Sequence, residues 1–375
     1  MHLQSRVRSL ASGVRKAAFD RGLLPSQPGP NGQVALTEWM SASPGATAAD
    51  VIELPAPQSE SPVEARTLGP THPLFERFRG PLSARPSVVA VIPGAQLVSE
   101  FAIVLLPDNR VLADTAWDET QLAASEILSA SILPRPRRVR GRHASIVSQW
   151  CSAYFHWVLD ALPRIAVLER AGMGELPLIV PQALSPFQRE TLGLLGIGAE
   201  RLTPHSSCLK PDVLVWPAPA GHTGNPPAWA VQWLRERFAT GIQPDGRRLY
   251  ISRVGASRRR VTNEAALVDA LDSYGFEAVQ PEELALGDQV RLFAEAAIVV
   301  APHGGANTNV AFAERVALIE IFEPGYVNAC FCVLAGASGH DYWYVMGESQ
   351  GESDIRVPLD LVIATVERAL EQRRA

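Results

Sequence analysis

The sequence predicts an α/β protein with two lobes, each a parallel sheet covered by helices, behind a loop- and β-rich N-terminal region. Three observations predict this class. The chain has 375 residues, more than one ordinary core organises. From Tyr154 onward, helical and strand-like segments alternate, the pattern that builds parallel sheets. After the turn Gln243-Pro244-Asp245-Gly246 the alternation restarts. The expected division is residues 1–86, an N-terminal helix and extended arm; 87–243, a first lobe with a leading β-meander; and 244–375, a second lobe. Two such lobes are expected to face a central cleft.

Each element has its own signal. Leu3, Val7, Leu10 and Val14 fall at helical spacing among Arg6, Arg8, Arg15 and Lys16, so the first segment reads as a basic amphipathic helix. Such a helix packs on its own protein or lies on a membrane surface. Residues 25–86 are rich in Pro, Ser, Ala and Gly and read as an arm. Val88 to Ile92, Ala102 to Leu106 and Val111 to Ala113 read as strands, with Pro107-Asp108-Asn109 as a turn. Pro134 to Arg142 carries five arginines and reads as a bridge to the next element.

In the first lobe, helices are expected at Tyr154 to Ala171, at Phe187 to Leu195 and after Pro227, where Trp229, Trp233 and Leu234 share a side. Strands are expected at Pro177 to Val180 and Val213 to Trp216. In the second lobe, strands are expected at Leu249 to Ser252, Phe276 to Val279, Ala297 to Ala301 and Val316 to Phe322. Helices are expected at Asn263 to Tyr274, Asp288 to Ala296 and Leu359 to Gln372, with another following the Gly-rich turn after Ala301.

Bulk composition narrows the function. Hydrophobic residues make up 47% and charged residues 19%, an ordinary globular balance. The net charge of −5 argues against a general nucleic-acid binder. Cys151, Cys208, Cys330 and Cys332 form no CxxC pair and have no histidine at zinc spacing, so they read as thiols of a reducing compartment. No apolar run reaches the roughly 20 residues of a membrane span. Basic residues also interrupt the first 24 residues, unlike a signal peptide. The expectation is a cytoplasmic protein whose basic first helix can touch the inner face of a membrane.

Three segments carry chemistry. In Ala297 to Phe312 a buried strand ends in Pro302-His303-Gly304-Gly305-Ala306-Asn307 and a helix starts. Ligands of open α/β sheets bind at such strand ends. Glycines allow close backbone approach, and a helix start offers free N–H groups to a diphosphate. The alternative is a tight turn capped by Asn307. In Tyr250 to Glu264 a strand ends at Ser252-Arg253, before the run Arg258-Arg259-Arg260. Guanidinium groups match phosphate in charge and fork geometry, and Arg253 lies nearest the strand end. The alternative is a solvated basic loop. Asn263 is expected to cap the following helix.

The third segment is Tyr154 to Arg164. His156 and Asp160 are four apart and share a helix face, with Arg164 one turn further and Pro163 as a possible kink. A His–carboxylate pair can deprotonate an acceptor hydroxyl, and the spacing leaves open which is the base. The alternative is simple mutual pairing. No DxD triplet occurs, so arginines and a helix end would neutralise a diphosphate, without a metal or other cofactor. Glu320, in the strand Val316 to Phe322, or Glu323 just beyond it, is placed to accept hydrogen bonds from ribose hydroxyls; the alternative for either is an exposed edge charge.

Together these segments resemble glycosyltransferase family 61, the capsular-polysaccharide-biosynthesis-like proteins. The matching stretches are FHWVLDALPR, YISR followed by RRRVTNE, GFEAVQPEELALGDQVRLFAEAAIVVAPHGGANTN, and VALIEIF, in the family's order, over about Arg138 to Gly347. The resemblance implies a GT-B fold, a nucleotide-sugar donor held mainly by the C-terminal lobe, a glycan or polysaccharide acceptor, and inversion at the anomeric carbon. It carries donor-binding roles to Arg253, Arg258, Arg259, Arg260, His303, Gly304, Gly305 and Asn309, and an acceptor-side catalytic role to His156 and Asp160. Family members often have Gly-Ala after the histidine, where this chain has Gly304-Gly305-Ala306. The rival readings are a polysaccharide pyruvyl transferase of the same architecture and a non-catalytic nucleotide-sugar- or glycan-binding subunit.

Overall fold

The computed structural model describes residues 18, 26–43, 46, 49–55, 64–76, 87–115 and 126–374. The expected helix over Leu3 to Val14 lies outside the described residues. The chain divides into two compact units, residues 1–56 with 86–223 and residues 57–85 with 224–375. It is a mixed α/β protein with parallel strands in both main sheets.

The sheet of the first unit places Leu202–His205, Leu178–Pro181, Arg137–Ser145 and Cys208–Pro217 side by side in parallel. On the far side of Cys208–Pro217 the pairing turns antiparallel, through Gln96–Val98, Ile103–Leu105 and Val111–Leu112. Ser87–Pro93 also pairs antiparallel with Cys208–Pro217 and carries Asp50–Leu54 beyond it. The meander is thus part of this sheet, which is mixed rather than purely parallel.

The arginine-rich stretch is a strand, not a bridge. Its first half is exposed and pairs only with the strand Cys208–Pro217, so the arginines can face water there, while His143 to Ser145 is buried between two neighbours. A bulge falls between Val139 and Arg142, where Gly141 takes φ +88°.

The sheet of the second unit runs Phe276–Val279, Arg247–Ile251, Ala296–Pro302, Ala317–Phe322, Asp341–Met346 and Ala65–Arg66, parallel throughout. Six consecutive buried residues in Ala317–Phe322, and an almost fully buried Ala296–Pro302, are what a sheet covered on both faces requires. Helices Glu264–Asp272, Leu286–Ala294, Cys330–Ser338 and Leu359–Arg374 alternate with these strands.

Part of the N-terminal arm completes this second sheet. Ala65–Arg66 forms its edge strand, Arg66 pairs with Asp341 at 3.1 Å, and Phe75 stacks on Tyr344 with ring centroids 4.3 Å apart. The arm is therefore built into both units, with Asp50–Leu54 in the first and Ala65–Arg66 in the second. The helix after Pro227, Ala228–Phe238, belongs to the second unit, so the units part at residue 223 rather than at the turn 243–246. It buries Ala230, Val231 and Leu234; Trp229 and Trp233 are half-buried, with Arg237 over the Trp233 ring.

All four cysteines are free thiols. Among the described residues, no helix is long and apolar enough to cross a membrane.

Candidate functional site

Leaving aside the edge strand Ala65–Arg66 and counting from residue 224, the second sheet has strand order 2-1-3-4-5, with Arg247–Ile251 first and Ala296–Pro302 third. The order in which strands are added reverses between these two parallel strands, and their carboxyl ends frame the crevice in which doubly wound sheets bind ligands. Ser252-Arg253 follows the first strand and His303-Gly304-Gly305 the third. Topology therefore brings the two motifs together.

The side chains confirm the meeting. A Cβ added to Gly304 would overlap the Arg253 guanidinium, 3.1 Å from its Cζ. Only glycine lets the arginine lie against this backbone. Arg253 is held from behind: its Nε and Nη2 donate to the carbonyls of Arg259 and Arg258, at 3.2 and 2.9 Å. Its backbone N–H and the Tyr250 hydroxyl both donate to Glu264, at 3.3 and 2.8 Å. Burial, and then the nearby charge of Arg259, lowers the Arg253 pKa from its ordinary value. Two cations crowded in this way favour an anion between or beside them.

The other members of the arginine run divide sharply. Arg259 takes φ +58°, a strained setting for an arginine, and its guanidinium lies 5.0 Å from the Tyr326 ring centre. Its Nε is buried without a hydrogen-bond partner. Arg258 is exposed and contributes its carbonyl. Arg260 forks onto Asp354 at 2.7 and 3.1 Å, an exposed ion pair away from Arg253.

The turn after the third strand also differs from expectation. Gly305–Phe312 is a 3₁₀ helix, not an α-helix, and Gly305 has nothing within 4 Å of an added Cβ. Asn309 is fully buried and its amide donates to Gln289 at 3.0 Å, so it braces the helix Leu286–Ala294 rather than reaching outward. Asn307 is buried too, and donates to the Pro302 carbonyl at 3.3 Å. Asn263 makes no capping bond; its amide exchanges two hydrogen bonds of 2.9 Å with the backbone of Val357.

Glu320 does not reach ribose. It is 0% exposed, and its two oxygens are taken by His303 Nδ1 at 2.5 Å and by the Tyr342 hydroxyl at 2.6 Å. Glu323 is nearly buried and accepts from the Ser349 hydroxyl. Tyr326, exposed next to Arg259, is a candidate that pattern reading missed; an aromatic at a strand-end loop was the only available signal.

In the first unit, His156 Nδ1 and Asp160 Oδ2 are 2.7 Å apart, with side chains 21% and 9% exposed. The expected single helix is three pieces: Tyr154–His156, a π-helical turn Trp157–Ala161, and Pro163–Arg170. The π bond runs from Leu162 N–H to the Trp157 carbonyl at 2.9 Å. Such turns are frequent at functional sites. Trp157 donates to Thr191 at 2.7 Å and Gln188 to the Cys151 carbonyl at 2.8 Å, which fixes the segment on the helix Pro186–Leu194.

Trp150, at φ +60°, sets its ring 5.3 Å from that of His156. A bulky residue in the left-handed region costs about 1–3 kcal/mol and gathers at functional sites. Arg164 is buried and donates to the Pro217 carbonyl at 3.0 Å. Burial lowers its pKa to about 10, against the opposing charge of Asp160.

Fold and side chains together define an α/β protein with Arg253 against Gly304 at the strand ends of one unit and a His–Asp pair in the other. Residues 154–319 match the family model Glycosyltransferase 61, a stretch holding His156, Asp160, Arg253 and the His303–Gly305 turn. That match supports membership of glycosyltransferase family 61 and, with it, transferase activity in general. No curated protein matches the sequence.

Proposed function

We propose that the protein is an inverting, metal-independent glycosyltransferase of GT-B type that moves a sugar from a nucleotide-sugar donor to a glycan or polysaccharide acceptor. The observation that carries the donor reading is Arg253 lying on the bare backbone of Gly304 at the switch point of an all-parallel sheet. There its Nη1, Arg259 and the N–H groups of Gly305 and Ala306, ahead of Asn307 whose N–H is taken by the Gly304 carbonyl, can receive the departing diphosphate. Developing negative charge is met by fixed guanidinium groups, so the reaction does not require a divalent ion at the phosphates.

The dyad supplies acceptor activation. A carboxylate accepts hydrogen bonds only, so Asp160 accepts from the Nδ1–H of His156, which leaves Nε2 with its lone pair. His156 is then the base, and Asp160 orients it and stabilises the imidazolium that forms. The acceptor oxygen attacks the anomeric carbon as the bond to the diphosphate breaks, and a single displacement inverts that carbon.

The test is product analysis. A nucleotide sugar found by thermal shift is incubated with acceptor glycan, and the new linkage is read by NMR. Inverted stereochemistry, undiminished by EDTA and lost in Arg253→Ala at unchanged melting temperature, supports the reading. Retention, or full turnover by the variant, removes it.

A further inference from the structure

Glu320 is a carboxyl group buried completely in the middle of a strand, and the donor reading gives it no task. Its surroundings specify one. Ala301 stands opposite it on the neighbouring strand, which places His303 two residues on, at the strand's carboxyl end. The His303 ring stacks on Phe322, with centroids 5.3 Å apart and planes at 26°, and is flanked by Tyr326 and Phe331. Nδ1 meets Glu320 Oε1, and the Tyr342 hydroxyl meets Oε2. Among the described residues, Nε2 has no partner, and it is not one of the buried orphaned atoms.

A net negative charge confined in this position would be costly, because the site is fully desolvated. The pair becomes neutral when it holds one proton on the short Nδ1···Oε1 bond in addition to the ring's other one. Whether that shared proton lies on nitrogen or oxygen, the second proton is on Nε2. Apart from Arg259, which stacks on Tyr326 beyond the His303 ring, the neighbouring groups do not supply competing charge. Burial, then Glu320, pushes the Tyr342 hydroxyl well above its ordinary pKa, so it stays a donor. Burial likewise raises the Cys330 and Cys332 thiols, Cys332 to about 12. Arg259 is the nearby cation, stacked on Tyr326.

We infer that Glu320 and Tyr342 are positioning residues that fix His303 as an Nε2–H donor, aimed at a phosphate oxygen of a nucleoside diphosphate. The inference rests on the donor-site reading. It adds a fourth phosphate donor beside Arg253, Arg259 and the 3₁₀ start, and it gives the buried glutamate a role in binding rather than in ribose recognition.

The experiment joins two readouts on the full-length protein. Ring-nitrogen NMR of ¹⁵N-histidine protein, with His303 assigned from the His303→Asn variant, is expected to show Nε2 protonated. A bare Nε2 overturns the inference without any binding measurement.

Titration then uses UDP and GDP, with inorganic pyrophosphate as a base-free probe. Glu320→Leu is expected to weaken binding about 10- to 100-fold, the loss of one hydrogen bond to a charged group. Glu320→Gln can accept from Tyr342 and donate to Nδ1, so it restores affinity to within a few-fold of wild type. If Glu320 merely fills space, leucine binds as well as wild type and the inference fails. Loss of affinity in Arg253→Ala but not in Glu320→Leu sinks this inference and leaves the donor site standing. If none of the probes binds wild type, the donor reading itself falls.

Discussion

The dyad in the first unit and the strand-end site in the second hold their working groups by different devices. His156 and Asp160 lie one helical turn apart, and the chain between them is bent into a π turn to fit. Arg253, His303 and Gly304 come from loops after different strands, and the sheet brings them together. Each region also contains a residue in left-handed backbone that is not glycine, Trp150 beside the dyad and Arg259 beside Arg253. One site is built by local sequence, the other by topology. Damage should follow that division: changes at the dyad act on the chemical step, and changes at the strand ends act on donor affinity.

The largest separation is expected from His156→Ala. Loss of a general base should cut turnover by at least about 100-fold and leave nucleotide affinity within about twofold of wild type. Steady-state rates beside calorimetric titration read both quantities; equal losses in the two would break the comparison.

Next in size is a contrast of adjacent glycines. Gly304→Ala displaces the Arg253 guanidinium, which is the end of a flexible side chain, so stability should hold while nucleotide affinity drops about tenfold or more. Gly305→Ala meets open space and should change affinity and stability by no more than about 0.5 kcal/mol. Similar losses in both variants would mean that the contact with Arg253 is irrelevant.

A small effect is expected far from either site. Glu277 and Glu295 clamp Arg247 at 2.6 and 3.0 Å where the first strand of the second sheet begins. The hydrogen bond from Arg247 holds the Glu277 carboxyl below its ordinary range. Its stabilisation is therefore present above the unfolded carboxyl pKa and fades as pH falls through the lowered folded value. Both groups are partly exposed, so Glu277→Gln should cost at most about 1 kcal/mol at neutral pH, and less at acid pH. Melting curves across pH would show a shrinking gap; a gap that widens with acid would contradict the assignment.

What could be read in advance follows the same division. The spacing of His156 and Asp160, the strand that ends at Arg253 and the glycines after His303 are patterns within a few residues, and each was legible. The π turn was not, because Pro163 signalled only a kink and carries no sign of an extra residue in the turn. Glu320 was misread because its partners arrive from neighbouring strands, and parallel register cannot be read from one segment alone. Arg260 and Asn309 look like ligand residues in a motif, yet Asp354 and Gln289 claim them from elsewhere in the chain. The arginines of 137–142 concealed a strand, since charge is tolerated where a strand runs out into solvent.

The central claim is that Arg253, and not simply a basic loop, receives the donor's diphosphate. Calorimetric titration of UDP and GDP into wild type, Arg253→Ala and Arg260→Ala addresses it most directly. The account predicts a loss of about 100-fold or more for whichever nucleotide binds when Arg253 is removed, and near-wild-type affinity when Arg260, already forked onto Asp354, is removed. Equal losses in the two variants, or undiminished binding by Arg253→Ala, would contradict it.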